Sequence, residues 1–239
     1  MILAPGVLIA LRTLLPRLGI QTVTMGPGGY YTARDVAQNT ESRRPESESA
    51  HVWSPVSWNG RLHRLPSAWR GLLIADASHL GATGFSAGSL EAADIVVGDL
   101  HKWLAGPWAQ PEVAFVAIQN RRLRAAAIQA FAPFYLALEG GPLRARHARW
   151  LRPESIIAVD RCLQAGDDAE SLCRRHEANL ALATRIASSA NLTTPRSALV
   201  MLPPTKSHRA IPVWLKRAGG VWKLANGRAR ITCRADWKR

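Results

Sequence analysis

The chain has 239 residues, of which 47% are apolar, so it can bury the core of one large domain or of two modest ones. No apolar run reaches the ~18–20 residues that a membrane helix needs, so we expect no membrane contact. The three cysteines are scattered and lack the spacing of metal ligands. This usage predicts no metal site and no disulfide framework, and it indicates the reducing cytoplasm.

The net charge of +14 raises nucleic-acid binding as a possible role, because strongly basic chains often bind polyanions. The arginines, however, are spread over the whole chain, and no zinc-finger, RNP or helix-turn-helix pattern accompanies them. We interpret most of this charge as solvated helix faces. Nucleic-acid binding is kept as a second alternative, and we do not expect nucleic acid to be the main partner.

The order of predicted elements is that of an α/β protein with a smaller C-terminal unit. Continuous apolar runs such as residues 71–76 predict strands that are covered on both faces of a parallel sheet. Pro16 is expected to kink or end the first helix. In chain order we predict a helix at 5–18, strands at 20–25, 71–76, 93–97 and 112–118, helices at 120–131, 154–165 and 167–189, a strand at 198–202, a helix at 210–218, and strands near 221 and 231.

Lys102 stands out because it is the only lysine in the first 205 residues of an arginine-rich chain. A lysine amine can lose its proton when it is partly buried and can form a Schiff base, whereas arginine stays charged. Asp76 ends the apolar strand 71–76, and an acid there faces the crevice where α/β proteins bind ligands. Pyridoxal phosphate requires such a pair, a lysine to hold it and an acid beside its ring nitrogen.

Three spaced motifs carry a resemblance to a known family. They are Val56-Ser57-Trp58-Asn59-Gly60-Arg61, then Asp76-Ala77-Ser78-His79, then His101-Lys102-Trp103-Leu104-Ala105-Gly106-Pro107. Residues 51–118 resemble the aminotransferase class V group of fold type I pyridoxal-phosphate-dependent enzymes, most closely its isopenicillin N epimerase-like and cysteine desulfurase-like branch. The resemblance implies an α/β fold of the fold type I PLP-transferase kind, with a mainly parallel sheet, flanking helices and a small C-terminal α+β domain.

The resemblance also assigns roles to individual residues. It makes Lys102 the residue that binds pyridoxal phosphate as an aldimine and moves the substrate's α-proton. Asp76 would partner the ring nitrogen, His79 would lie near the phenolic oxygen, and His101 would reach toward the phosphate. The activity implied is a reaction on an amino acid or small amine. Transamination, epimerisation and elimination remain open.

Other positions match the family less well. Asp99 stands where relatives carry Ser, Thr or Asn that donates to the phosphate, and a carboxylate there would repel it. Ser57 stands where many relatives carry Asn near the phenolic oxygen. Arg230 resembles the arginine that grips the substrate carboxylate, and an edge-strand arginine in a basic tail is the competing interpretation.

The predicted domains are a partial cofactor-binding domain at 1–135, a connection at 136–153 and a small domain at 154–239. The resemblance is expected to begin after the family's first strand and helix, so the domain is predicted to be shortened at its N-terminus. Family members are usually homodimers, and we expect the same here. The alternative function is that of a degenerate, inactive homologue that acts as a binding or accessory protein.

Overall fold

A computed structural model describes residues 1–27, 29, 46–67, 69–80, 90–100, 113–136, 156–157, 160, 164, 169–204, 219–223 and 228–235 of the chain. These residues form a six-stranded sheet and a three-stranded sheet with helices packed on them. Among the described helices, none combines the length and the apolar character of a membrane span.

The larger sheet has the strand order β1-β6-β5-β4-β3-β2. Strands β2, β3, β4 and β5 run parallel to one another, while β6 is antiparallel to both β5 and β1. The mainly parallel α/β sheet predicted from the sequence is therefore confirmed. Its strands are β1 (Ile2–Ala4), β2 (Thr22–Met25), β3 (Ser49–Trp53), β4 (Leu72–Asp76), β5 (Ile95–Asp99) and β6 (Ala114–Ile118).

Both faces of this sheet are covered by apolar side chains, which explains why β4 and β5 are apolar almost throughout. One face packs against helices α1 (Val7–Arg17) and α2 (Arg124–Leu136), where Leu11, Leu14 and Phe131 are fully buried. We call this the helical face. The opposite face carries a second cluster that includes Trp53 and Leu73.

The N-terminal region differs from the sequence-based expectation. Residues 2–4 form a strand that was not predicted, and β1 lies at the sheet edge beside β6. Helix α1 ends at Arg17, one residue after Pro16. The positive φ of Gly19 (71°) turns the chain so that Ile20 N donates a hydrogen bond to Leu15 O at 2.9 Å, which caps the end of the helix. The first 17 residues thus form a strand followed by a helix, whereas the sequence predicted the helix alone.

The smaller sheet consists of β7 (Leu199–Leu202), β8 (Gly219–Lys223) and β9 (Ala229–Cys233), all antiparallel, in the order β7-β9-β8. One face of it packs on helix α3 (Ala169–Ser189) through a cluster that includes Val200 and Ile231. These strands confirm those predicted near 198–202, 221 and 231. The predicted connection at 136–153 and the helix at 210–218 lie almost entirely outside the described residues.

The first prediction concerns Gly71, which lies directly before β4 and close to the backbone at the start of β3. Gly71 has φ 75°, and a Cβ there would collide with the backbone oxygens of Ser49 and Glu46. Gly71→Ala should lower the free energy of unfolding by about 2–4 kcal/mol, measured by urea denaturation, since strain and overpacking add. The matched control is Gly19→Ala, which shares the positive φ but meets no atom within 4 Å, and it should cost about 1 kcal/mol. Equal losses in the two variants would contradict the close contact.

A second prediction concerns the two described cysteines. Burial raises the pKa of the Cys233 thiol to about 12 from its ordinary value of 9.0, whereas Cys173 is exposed. The thiolate is the reactive form, so iodoacetamide at mildly alkaline pH should alkylate Cys173 and spare Cys233 until the protein unfolds. Because the unfolded thiol ionises first, stability should also fall as the pH rises from 9.0 toward 12. Mass spectrometry of the peptides checks the first outcome, and equal labelling in the native protein would contradict it.

Candidate functional site

The strands of the larger sheet bring several chain segments to one edge. Parallel strands β2–β5 all end at this edge, which we call the carboxyl edge, and β1 ends there too because it runs parallel to β5. Asp76 is the last residue of β4 and Asp99 is the last residue of β5. Ala4, at the end of β1, and Asp99 both pair with Ala114, so they lie at the same level of the sheet. Ligand sites of open α/β sheets lie at such an edge.

The two carboxylates point to the same side of the sheet. Side chains alternate between faces along a strand, and Ile74, Ile95 and Val97 belong to the helical face. Asp76 follows Ile74 by two residues, and Asp99 follows Val97 by two. Both carboxylates therefore lie where the helical face meets the carboxyl edge, the same corner of the sheet at which α1 begins, with β5 and β6 separating β4 from β1.

The N-terminus of α1 completes this corner. Gly6 precedes the helix with φ 139°; as a glycine it has no side chain to cap the first turn, and that turn contains no acidic residue. Backbone N–H groups at an open helix N-terminus, together with the helix dipole, favour an anion. The sequence alone did not reveal this helix N-terminus, because the three residues of β1 are too few to show periodicity. The signal available was the run Ala4-Pro5-Gly6 directly before an apolar helix.

The carboxylate of Asp76 is held in a fixed position by the turn that follows it. Its Oδ1 accepts a bond from Ser78 N at 3.0 Å and another from Ser78 Oγ at 2.6 Å. Asp76 is 8% exposed, and His79 is buried in the same turn, where Leu80 N bonds Ala77 O. The structure thus brings the predicted residues Asp76 and His79 together, and it adds Ser78 as the residue that orients the acid.

Ser54 is a second polar residue that the sequence did not single out. Trp53 pairs with Ala75, so Ser54 follows β3 at the level of Asp76. Ser54 is 4% exposed, and its Oγ has no hydrogen-bond partner within the described part of the chain. A buried hydroxyl without a partner at this level is a donor that a bound group could use.

Ser57 has a structural role that its sequence position did not predict. Its hydroxyl is fully buried and donates within its own turn, to Asn59 Oδ1 at 2.5 Å and to Arg61 O at 3.2 Å. The single hydroxyl proton is therefore used inside the turn. Ser57 could contribute to a ligand only through its remaining acceptor capacity.

Arg230 joins the small sheet to the loop that follows β3. Its Nη1 donates to Trp58 O at 3.0 Å, although the two residues are 172 positions apart, and Arg230 is 3% exposed. Gly60 in the same loop approaches β7 closely, since a Cβ on it would lie 2.6 Å from Ser197 Oγ. The arginine predicted to bind substrate is thus directed at the loop that contains Ser57.

Lys102 and His101 lie outside the described residues, so their predicted roles remain predictions. Among the residues that are described, no group of three or more His, Cys, Asp or Glu side chains could hold a metal ion. The arrangement that the structure does provide is an oriented carboxylate and an uncapped helix N-terminus at one corner of a parallel sheet.

The buried Arg230 contact gives a third prediction. Arg230→Met removes the donor to Trp58 O, a partly buried bond. The free energy of unfolding should fall by about 2 kcal/mol in thermal or urea denaturation. Arg185→Met, at an exposed position of α3, is the control and should change stability by no more than about 0.5 kcal/mol. A loss in the control as large as in Arg230→Met would argue against this contact.

Comparisons with known proteins bear on the fold. No protein-family model matches the sequence, and no curated protein matches it. Among solved structures, aspartate aminotransferase from Thermus thermophilus is 16% identical with a TM-score of 0.60, covering 96% of this chain and 78% of that one. Alanine–glyoxylate aminotransferase from Nostoc is 16% identical with a TM-score of 0.60, covering 99% and 77%. A PLP-bound aminotransferase from Clostridium difficile is 12% identical with a TM-score of 0.57, covering 97% and 72%.

These likenesses span nearly the whole chain, so they include residues before position 51. They do not test the expectation that the domain is shortened at its N-terminus, which stays a prediction. The predicted domain limits stay predictions. The described sheets and the structural matches together show that the chain has the fold of the fold type I pyridoxal-phosphate-dependent aminotransferases.

Proposed function

We propose that the protein is a pyridoxal-phosphate-dependent enzyme of the aminotransferase class V type that acts on an amino acid or small amine. The observation that carries this proposal is the corner formed by Asp76 and the start of α1. There an oriented carboxylate and an open helix N-terminus lie at one edge of the sheet. The C. difficile protein with the same fold is PLP-bound, which supports the choice of cofactor.

The chemistry of these groups fits the two ends of pyridoxal phosphate. A carboxylate suits the protonated ring nitrogen, and backbone N–H groups with a helix dipole suit a phosphate. The buried Ser54 hydroxyl offers a further donor at the level of Asp76. When bound, the cofactor supplies an electron sink that stabilises negative charge on the carbon next to the amino group.

The chain's own residues have separate tasks in this proposal. Asp76, fixed by Ser78, holds a proton at the ring nitrogen, and the first N–H groups of α1 bind the phosphate. Lys102 binds the cofactor and moves the α-proton as general base and acid. His79 near the phenolic oxygen and His101 near the phosphate complete the set.

The substrate side of the site is assigned to Arg230. Its guanidinium lies against the loop after β3 through the bond to Trp58 O, and a guanidinium is the group that binds carboxylates with two parallel N–H bonds. An arginine in this position favours an amino acid over a simple amine. The proposal includes a homodimer in the cytoplasm, as the resemblance implies.

A second candidate function is that of an inactive homologue, and two observations favour it. Asp99 places a second carboxylate at the level of Ala4, one strand away across β6, where its charge would oppose an anion bound at the start of α1. The first turn of α1 begins Val7-Leu8-Ile9, so it contains no hydroxyl that could donate to a phosphate. Such a protein would keep the fold and bind a partner without catalysis.

The decisive experiment, and our fourth prediction, is titration of the purified protein with pyridoxal phosphate. The enzyme proposal predicts a visible absorption band and, after borohydride reduction, a mass gain on the peptide that contains Lys102. Lys102→Ala should lose both signals. Lys206→Ala is the matched control, since it removes another lysine from the C-terminal third of the chain, and it should behave as wild type.

The outcomes separate the two candidates. A wild-type protein that stays colourless and unlabelled would support the inactive homologue. Identical spectra for wild type and Lys102→Ala would exclude Lys102 as the attachment residue. In a wild type that binds weakly, Asp99→Asn should tighten binding roughly five- to tenfold, because it removes one like-charge contact of surface strength.

A further inference from the structure

A pocket of about 620 Å³ lies between the turn after β3 and the segment that connects α3 to β7. Its walls come from residues 58–62, 192–196 and 199–201, together with Arg228. None of Asp76, His79, Ser57 or Asp99 lines it, so it is separate from the corner at α1. Its size is that of a small-molecule site.

The rim of this pocket is cationic. Arg61, Arg196 and Arg228 come from three different segments, and all three are exposed. No acidic residue lines the pocket in the part of the chain that is described. Within the described part of the chain, the guanidinium groups of Arg61 and Arg196 form no ion pair and no hydrogen bond. Two unneutralised guanidinium groups facing one cavity favour an anionic occupant.

The positive charge of Arg61 also affects the pKa of a neighbouring side chain. The pKa of His63 is lowered, first by burial and second by the positive charge of Arg61. His63 is therefore neutral near pH 7, so it adds no positive charge of its own beside Arg61. The local positive potential thus comes from the arginines, which keep their charge at any physiological pH.

The floor of the pocket is apolar. Leu199 and Met201 belong to the face of the small sheet that points away from α3, and Leu199 packs with Trp53 and Val56 of the large domain. Leu62 at the rim is 41% exposed, which leaves a large apolar side chain open to a ligand. An inorganic ion would leave this apolar surface in contact with water, so the lining suits a molecule with an apolar body.

The pocket also has a reason to keep its shape. Gly60 packs against β7, where a Cβ would lie 3.2 Å from Leu199 O, and Arg230 ties the carbonyl of Trp58 to β9. These two contacts fix the turn after β3 against the small sheet on one side of the cavity. A preformed site loses less conformational freedom when a ligand binds.

From these observations we infer that the pocket binds a small organic anion, a molecule with one phosphate or carboxylate group and an apolar body. The anionic group lies between Arg61 and Arg196, and the apolar body lies on Leu199 and Met201. This site goes beyond the proposed cofactor chemistry, because it uses other residues and needs no pyridoxal phosphate.

Calorimetric titration of the cofactor-free protein with phenyl phosphate tests this inference and is our fifth prediction. At physiological salt, phenyl phosphate should bind with one-to-one stoichiometry. Inorganic phosphate should bind roughly tenfold more weakly because it lacks the apolar body, and neutral benzyl alcohol should bind more weakly still. Arg61→Gln and Arg196→Gln should each weaken phenyl phosphate binding about five- to tenfold.

The matched control is Arg185→Gln, an exposed arginine of α3 that does not line the pocket, and it should bind as wild type. Exposed positions were chosen so that the variants fold, and circular dichroism verifies this. No binding of phenyl phosphate at millimolar concentration would overturn the inference. Equal losses in Arg185→Gln and Arg196→Gln would also overturn it, because they would indicate diffuse attraction of anions, including nucleic acids, to a basic surface. Neither result depends on whether Lys102 binds the cofactor.

Discussion

The two central strands of the large sheet, β4 and β5, are apolar almost throughout, so neither face of the sheet around them can be left in water. The parallel pairing of β2, β3, β4 and β5 therefore requires the helices on one face and the apolar cluster around Trp53 on the other. The same pairing sends every strand end to one edge. The positions of Asp76, Asp99 and the start of α1 all follow from that single constraint.

Two groups at that edge favour ligand groups of opposite charge. The carboxylate of Asp76 suits a cationic ring nitrogen, while the open N-terminus of α1 suits a phosphate. Asp99 works against the second of these preferences, since it is level with Ala4 across Ala114. In the proposed site, the balance between the helix N-terminus and Asp99 would set how tightly the phosphate is held.

A second set of contacts fixes the small sheet against the large one. Leu199 contributes to the core of the large domain, Gly60 packs on β7, and Arg230 bonds the carbonyl of Trp58. The turn after β3 is held in this way, and its residues Trp58 to Leu62 line the cationic pocket.

The sequence by itself determined the strands whose apolar runs are long enough to be recognised, and it placed Asp76 at the end of one of them. It also indicated β7, β9 and the amphipathic helix α3, because these patterns are local. It could not reveal β1, since a three-residue strand shows no period. No pattern in it showed that the Ser57 hydroxyl donates its hydrogen bond within its own turn. Nor did any pattern show that Arg230 donates to the carbonyl of Trp58, which is 172 positions away in the chain. Those facts depend on which side chains meet after folding, and only the tertiary structure decided them.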